Sequence, residues 1–172
     1  MEYQIRPVTV DDRAGIVDVF NYYVENTYAA YPEKKVPPVF FDMMMEMAKG
    51  YPFYVAEQRA DAESGSSALK KVIGYGLLRP HMRMDTFRRS AELTCFIAPE
   101  YTGKGIGRSI LDRLVPDAGA MGIDTILASV SSQNEGSINF HKKYGFTECG
   151  TFRKVGKKFG NDLDEVWLQL FI

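Results

Sequence analysis

The segment that most restricts how this chain folds is Thr102-Gly103-Lys104-Gly105-Ile106-Gly107. It follows a strand-like run, Glu92–Ala98. It opens a stretch with Ile106, Ile110 and Leu114 at four-residue steps, the spacing of a helix with one apolar face. A strand feeding a glycine turn that opens a helix is a physical anion site. The first amides of a helix lack internal acceptors, and the aligned peptide dipoles add partial positive charge there. Gly103, Gly105 and Gly107 let the backbone curl close to a phosphate where a Cβ would clash, and Lys104 and Arg108 add charge nearby. The glycine spacing is GxGxG. It lacks the GxGxxG pattern of a dinucleotide site and the GxxxxGK[ST] pattern of a nucleotide-binding P-loop, so both are disfavoured. An ordinary turn with glycines for tight packing is the competing reading, and the turn alone does not decide between them.

The rest of the chain reads as an α/β domain. Strands are predicted over Tyr3–Val8, Phe53–Glu57, Val72–Leu78, Glu92–Ala98, Thr125–Val130, Phe146–Arg153 and Asp164–Phe171. Asp11 or Asp12 is placed to cap a first helix carrying Ile16, Phe20, Tyr23 and Thr27. A second, short helix follows near Val39–Lys49. In the helix after the glycine turn, Pro116 lacks an N–H and is expected to kink or end it. Asn134–Tyr144 reads as a further helix, closed by Gly145 in the left-handed conformation. Arg59–Ser67 reads as a mobile hairpin loop. This order gives one mixed sheet with helices on both faces and a single domain over residues 1–172.

Composition removes several function classes. Lys+Arg 21 against Asp+Glu 22 leaves a net charge of −1, which argues against a nucleic-acid coat. Two cysteines, Cys95 and Cys149, without CxxC spacing, and two histidines, His81 and His141, give neither a disulfide framework nor a metal cluster. Without a signal peptide or a long apolar run, no membrane association is expected and a cytoplasmic setting is the default.

A second segment carries more weight. Ser131-Ser132-Gln133-Asn134-Glu135-Gly136-Ser137-Ile138-Asn139-Phe140-His141-Lys142-Lys143-Tyr144-Gly145-Phe146, together with the glycine turn, resembles the GNAT superfamily of acyl-CoA-dependent N-acetyltransferases. Gly105 and Gly107 match the family's pyrophosphate loop. Asn134, Ser137, Phe140, His141, Gly145 and Phe146 match the helix beside the pantetheine arm. Thr102 departs from the pattern, standing where the family has Arg or Gln. The helix motif, the tail Gly150-Thr151-Phe152-Arg153 with Asp164 and Trp167, and Glu92 thirteen residues before Gly105 are similar to the phosphinothricin and methionine sulfone/sulfoximine acetyltransferases.

The resemblance implies a mostly antiparallel sheet of six to seven strands, splayed between the fourth and fifth. It implies acetyl-CoA as co-substrate, no metal, a small-molecule amine as acceptor and a homodimer. Cofactor contacts would come from Cys95, Phe96 and Ile97 through their main chain, from Gly103, Lys104, Gly105, Ile106, Gly107 and Arg108, and from Asn134 and Ser137. Acetyl transfer needs a neutral nitrogen, so a base must remove the ammonium proton. Glu92 is that candidate, although periodicity alone leaves it equally a strand glutamate facing solvent. His141 stands where relatives carry a proton donor to the thiolate, and its alternatives are a second base or a packed helix histidine. Amides around Phe96 and Ile97 would hold the oxyanion. Cys95 reads as inert packing rather than a nucleophile.

For the acceptor, Met82, Arg83, Met84 and Phe87 correspond to the branch's substrate segment, with Glu92, Leu93 and Thr94 opposite. Arg83 is the candidate for a substrate carboxylate, with Arg79, Arg88 and Arg89 as rivals. Acceptor alternatives are a protein N-terminus or lysine, and a further alternative is a non-catalytic acyl-CoA-binding module.

Overall fold

The computed structural model describes residues 2–58 and 71–172, so the loop expected over Arg59–Ser67 lies outside the described residues. The strands are β1 (Tyr3–Pro7), β2 (Phe53–Gln58), β3 (Lys71–Pro80), β4 (Ser90–Ile97), β5 (Thr125–Ser131), β6 (Thr147–Lys158) and β7 (Asn161–Phe171). The helices are α1 (Arg13–Asn26), α2 (Val39–Met47), α3 (Ile106–Ala120) and α4 (Glu135–Lys143). The strands form one seven-stranded sheet in the order β1-β2-β3-β4-β5-β7-β6. Every neighbouring pair is antiparallel except β4 and β5.

Alternation along the strands sorts the side chains onto two cores. On one face Ile16, Val17, Phe41 and Met44 from α1 and α2 pack on Val55, Tyr75 and Leu77. On the other, Ile106, Ile110, Leu114 and Ala118 of α3 pack on Leu78, Leu93, Ile126, Val166 and Leu168. Fully burying one such aliphatic side chain stabilises the fold by about 1.5–3 kcal/mol. Gly76 is what lets α3 lie so close to β3, because a Cβ there would stand 2.4 Å from Ile110 Cγ2.

Three local expectations are corrected. Pro116 does not end α3, which runs on to Ala120. Leu114 and Ala118 are fully buried on either side of it, and Tyr54 Oη donates to Asp117 Oδ2 at 2.6 Å, so the last turn is held by tertiary contacts. Asp12 does not cap α1 with its side chain. Its carboxylate accepts from Thr9 N at 2.8 Å and from Arg6 Nη2 at 2.7 Å, closing the turn before the helix. β6 continues past Arg153 to Lys158 through register breaks between Glu148/Gly150 and Phe152/Gly156. The irregularity scrambles the two-residue period that would mark the strand, and Asp164 Oδ1 secures it by accepting from Lys154 N at 2.8 Å.

Candidate active site

The parallel ladder between β4 and β5 is three pairs long, Ser90↔Thr125, Ala91↔Ile126 and Glu92↔Leu127. Beyond it both strands continue but no longer pair with each other. Leu93–Ile97 stays bonded to β3, and Ala128–Ser131 stays bonded to β7. The sheet is therefore open in its middle, with main-chain polar groups facing a gap.

Glu92 stands where the gap begins. It is buried, and its side chain lies on the α1 face, the face that also carries Arg79 across the ladder. Arg79 Nη2 donates to Glu92 Oε2, and His81 Nδ1 lies 2.8 Å from Glu92 Oε1. His81 in turn meets the rings of Phe87 and Trp167 edge-on, with centroids 5.9 and 6.2 Å apart. Sequence reasoning missed His81 as a site residue and took Arg79 only as a rival carboxylate binder. The only sequence signal was a strand residue pair at 79 and 81 that shares a pleat face with position 92.

At the far end of β4 the glycine turn leads into α3. Gly103 and Gly105 have φ of +73° and +82°, a conformation L side chains rarely adopt, and Gly105 is the N-cap of the helix. The following amides of Ile106, Gly107 and Arg108 fall in the first turn, where a helix supplies no acceptor. Gly107 serves packing: a Cβ there would lie 3.0 Å from the Phe140 ring of α4. The packing reading thus holds at Gly107, while Gly103 and Gly105 shape the backbone of the turn. Lys104 Nζ sits 5.1 Å from the Tyr101 ring centroid, and Arg108 pairs with Asp112 at 2.6 Å while lying over Tyr144. This combination suits the diphosphate of a CoA thioester, with helix amides and flanking cations at one end and an open sheet leading away to Glu92.

α4 closes the same region. Asn134 caps it, its side chain accepting from Ser137 N at 3.2 Å, and Gly145 ends it with φ of +93°. His141 is buried, edge-on to Phe140 and Phe146. Its Nδ1 lies 2.7 Å from the Ser137 carbonyl, which only accepts, so Nδ1 carries the proton and Nε2 the lone pair. Burial lowers the His141 pKa, partly offset by that carbonyl bond, which keeps the ring neutral. Burial pushes the Cys95 thiol up to about 12, far from a reactive thiolate.

Other predicted residues spread out. Phe96 lies on the α1 face, in ring contact with Phe20 and Tyr23, and Ile97 O accepts from Tyr23 Oη. Thr94 shares the face of Glu92, whereas the Leu93 side chain points into the opposite core with Ile126. Met82, Arg83 and Met84 are exposed. Arg89 pairs with Asp124, and Arg79 is committed to Glu92, which leaves Arg83 and Arg88 without such a partner among the described residues. A cleft lined by Val8, Ala48, Tyr51, Phe53, Asp117 and Met121 contains none of these groups.

Comparison with known proteins agrees with this geometry. The acetyltransferase (GNAT) family matches residues 16–146. A phosphinothricin N-acetyltransferase of Streptomyces coelicolor is 29% identical, covering 98% of this chain and 95% of its own. An L-methionine sulfoximine/L-methionine sulfone acetyltransferase of Pseudomonas paraeruginosa is 32% identical over 99% and 95%. Among solved structures, a GNAT phosphinothricin acetyltransferase of Sinorhizobium meliloti in complex with acetyl-CoA superimposes with a TM-score of 0.87 at 26% identity, covering 100% of this chain and 89% of the other. Open sheet, glycine turn and sequence relatives converge: this chain belongs to the GNAT acetyltransferase family and is an acetyltransferase that draws its acyl group from acetyl-CoA.

Proposed function

We propose that the chain transfers acetyl from acetyl-CoA to the amine of a small amino acid or analogue, of the phosphinothricin or methionine sulfone/sulfoximine type, in one direct step. The observation that carries this reading is the position of Glu92, buried at the point where β4 and β5 part and held there by Arg79 and His81. A fixed carboxylate facing the open sheet is what an ammonium acceptor requires, both as counter-charge and as base.

The amides of Ile106, Gly107 and Arg108 would hold the diphosphate, with Lys104 and Arg108 lending charge and Gly103 and Gly105 giving the backbone its approach. Asn134 and Ser137 flank the pantetheine arm, and the main chain of Cys95, Phe96 and Ile97 lies along it. Glu92 takes the ammonium proton, directly or through one water. The freed nitrogen attacks the thioester carbonyl carbon, whose oxygen is held by amides around Phe96 and Ile97. The C–S bond then breaks. The new amide nitrogen has a second proton to lose, and the thiolate has one to gain. His141, neutral with its Nε2 lone pair presented, accepts the first and returns a proton to the sulfur.

Met82, Arg83, Met84 and Phe87 form the acceptor's rim, with Arg83 the group for its carboxylate. The pairing of Glu92 favours a small acceptor over a protein N-terminus, because Arg79 and His81 narrow the approach. A cytoplasmic homodimer completes the reading. Its support is the pair of free cysteines and the exposed Phe152 and Val155 on the outer strand β6.

The test is a thiol-release assay over an amino-acid panel with the wild type and Glu92→Gln. The variant is expected to lose at least about a hundredfold in kcat while acetyl-CoA still raises its Tm. Near-normal turnover in that variant would remove Glu92 from the reaction.

A further inference from the structure

Two tyrosine rings lie beside the glycine turn, and each gathers cations. At Tyr101, Lys71 Nζ and Lys104 Nζ each stand 5.1 Å from the ring centroid. Glu100 answers both, pairing with Lys71 at 2.8 Å and lying in the field of Lys104. At Tyr144 the charges are arranged differently. Arg108 Cζ lies 5.0 Å from that ring centroid and Lys143 Nζ 5.8 Å. Asp112 takes Arg108 at 2.6 Å, and among the described residues no carboxylate lies within ion-pair distance of Lys143.

The Tyr144 ring is fixed by its neighbours. It is half-buried and meets the Phe140 ring with centroids 4.8 Å apart. Phe140 packs on Gly107, in the first turn of α3. Contacts therefore run unbroken from the opening amides of α3 to Lys143, the last residue of α4. Arg108 and Lys143 are both exposed, so their heads face the solvent from which a ligand arrives. Two like charges gathered at one ring repel each other, and an anion settling beside them relieves that cost.

The chemistry of the co-substrate says which anion this is. CoA carries its diphosphate on the 5′ carbon of a ribose and a phosphate monoester on the 3′ carbon of the same ribose. With the diphosphate on the amides of Ile106, Gly107 and Arg108, the monoester lies one sugar further out. It bears about −1.5 to −2 charge at pH 7. Thr102 gives the turn itself no Arg or Gln side chain to offer a phosphate. We propose that Lys143, held against the Tyr144 ring, receives the ribose 3′-phosphate of CoA, so that the enzyme separates CoA thioesters from their dephospho counterparts. The inference rests on the diphosphate seat given under Proposed function and extends it outward by one sugar. A cation in the last turn of a helix also favours the helix dipole. That role changes the stability of the free protein, and it leaves the difference between two thioesters untouched.

The experiment measures dissociation constants of acetyl-CoA and acetyl-dephospho-CoA by calorimetry, without an amine, for the wild type, Lys143→Gln and Lys143→Arg. The dephospho thioester keeps the acetyl group, the pantetheine arm and the diphosphate. Its binding therefore reports that each variant is folded with the diphosphate seat intact. The wild type is expected to bind acetyl-CoA about fivefold more tightly than the dephospho thioester, an advantage that shrinks as salt is raised. In Lys143→Gln the advantage is expected to fall to about unity, and in Lys143→Arg to persist. Equal affinity of the wild type for both thioesters, or an advantage that survives in Lys143→Gln, would overturn the inference while leaving the acetyltransferase reading intact. An equal loss of both thioesters in Lys143→Gln would put Lys143 on the diphosphate and overturn it as well. Binding of neither thioester by the wild type would overturn the diphosphate seat and this inference with it.

Discussion

Lys158 is fully buried at the tip of the β6–β7 hairpin, and its ammonium closes the end of α1 from 131 residues away. Nζ donates to Ala30 O at 2.6 Å and Thr27 O at 2.7 Å, and lies 3.5 Å from Tyr23 O. Replacing it with methionine keeps the stem and removes the donor. Tyr23 O retains Thr27 N and Thr27 Oγ1, so it is not orphaned, but the other two carbonyls lose this partner. An unsatisfied buried acceptor costs about 1–3 kcal/mol, and relief from burying an ammonium offsets part of the sum. The net expectation for Lys158→Met is a loss of about 2 kcal/mol. At about 2–4 °C per kcal/mol for a domain of this size, Tm should fall by about 4–8 °C. Thermal unfolding at pH 7 measures the shift. A Tm equal to or above that of the wild type would refute the reasoning, because it would mean that relief from charge burial outweighs the two lost bonds.

The remaining expectations concern single positions. Gly76→Ala drives a Cβ to within 2.4 Å of Ile110 Cγ2, so α3 must shift and stability should drop by about 1–3 kcal/mol in denaturant titration. Gly105→Ala meets no neighbour within 4 Å but must hold φ near +82°, a strain of about 1–2 kcal/mol. Its larger effect should be on the Tm increment produced by acetyl-CoA, which is expected to shrink. Because the buried His141 ring has its pKa lowered below 6.5, the unfolded chain binds more protons there as pH falls through 6.5 toward the lowered value. Tm should therefore decline over that window, and His141→Gln should flatten the decline in scans across pH 7 to 5.

What the sequence made visible was local. The glycine turn is written in the chain because positive φ at Gly103 and Gly105 and the apolar steps of Ile106, Ile110 and Leu114 are properties of neighbouring residues. The seven strands and four α-helices of the described residues followed from period and punctuation in the same way. What stayed hidden depends on contacts between distant segments. Pro116 reads as a stop until Leu114 and Ala118 are seen packed on the sheet. His81 reads as an isolated histidine until β3 sets it beside Glu92. Lys158 looks like a surface charge in a polar tail, and only the return of the hairpin to α1 gives it its surroundings. The family resemblance carried Glu92 and His141 further than spacing alone could.

The order of strands has a consequence for how the molecule is completed. β7 is the last strand in chain order, yet it lies inside the sheet, paired to β5 along Thr125–Ser131 and to β6 on its other side. Until it emerges, β5 and β6 have no common neighbour. A nascent or C-terminally shortened chain thus lacks an interior strand rather than an edge. Trp167 arrives with that strand, so a chain released early carries the glycine turn but lacks the ring that stands against His81.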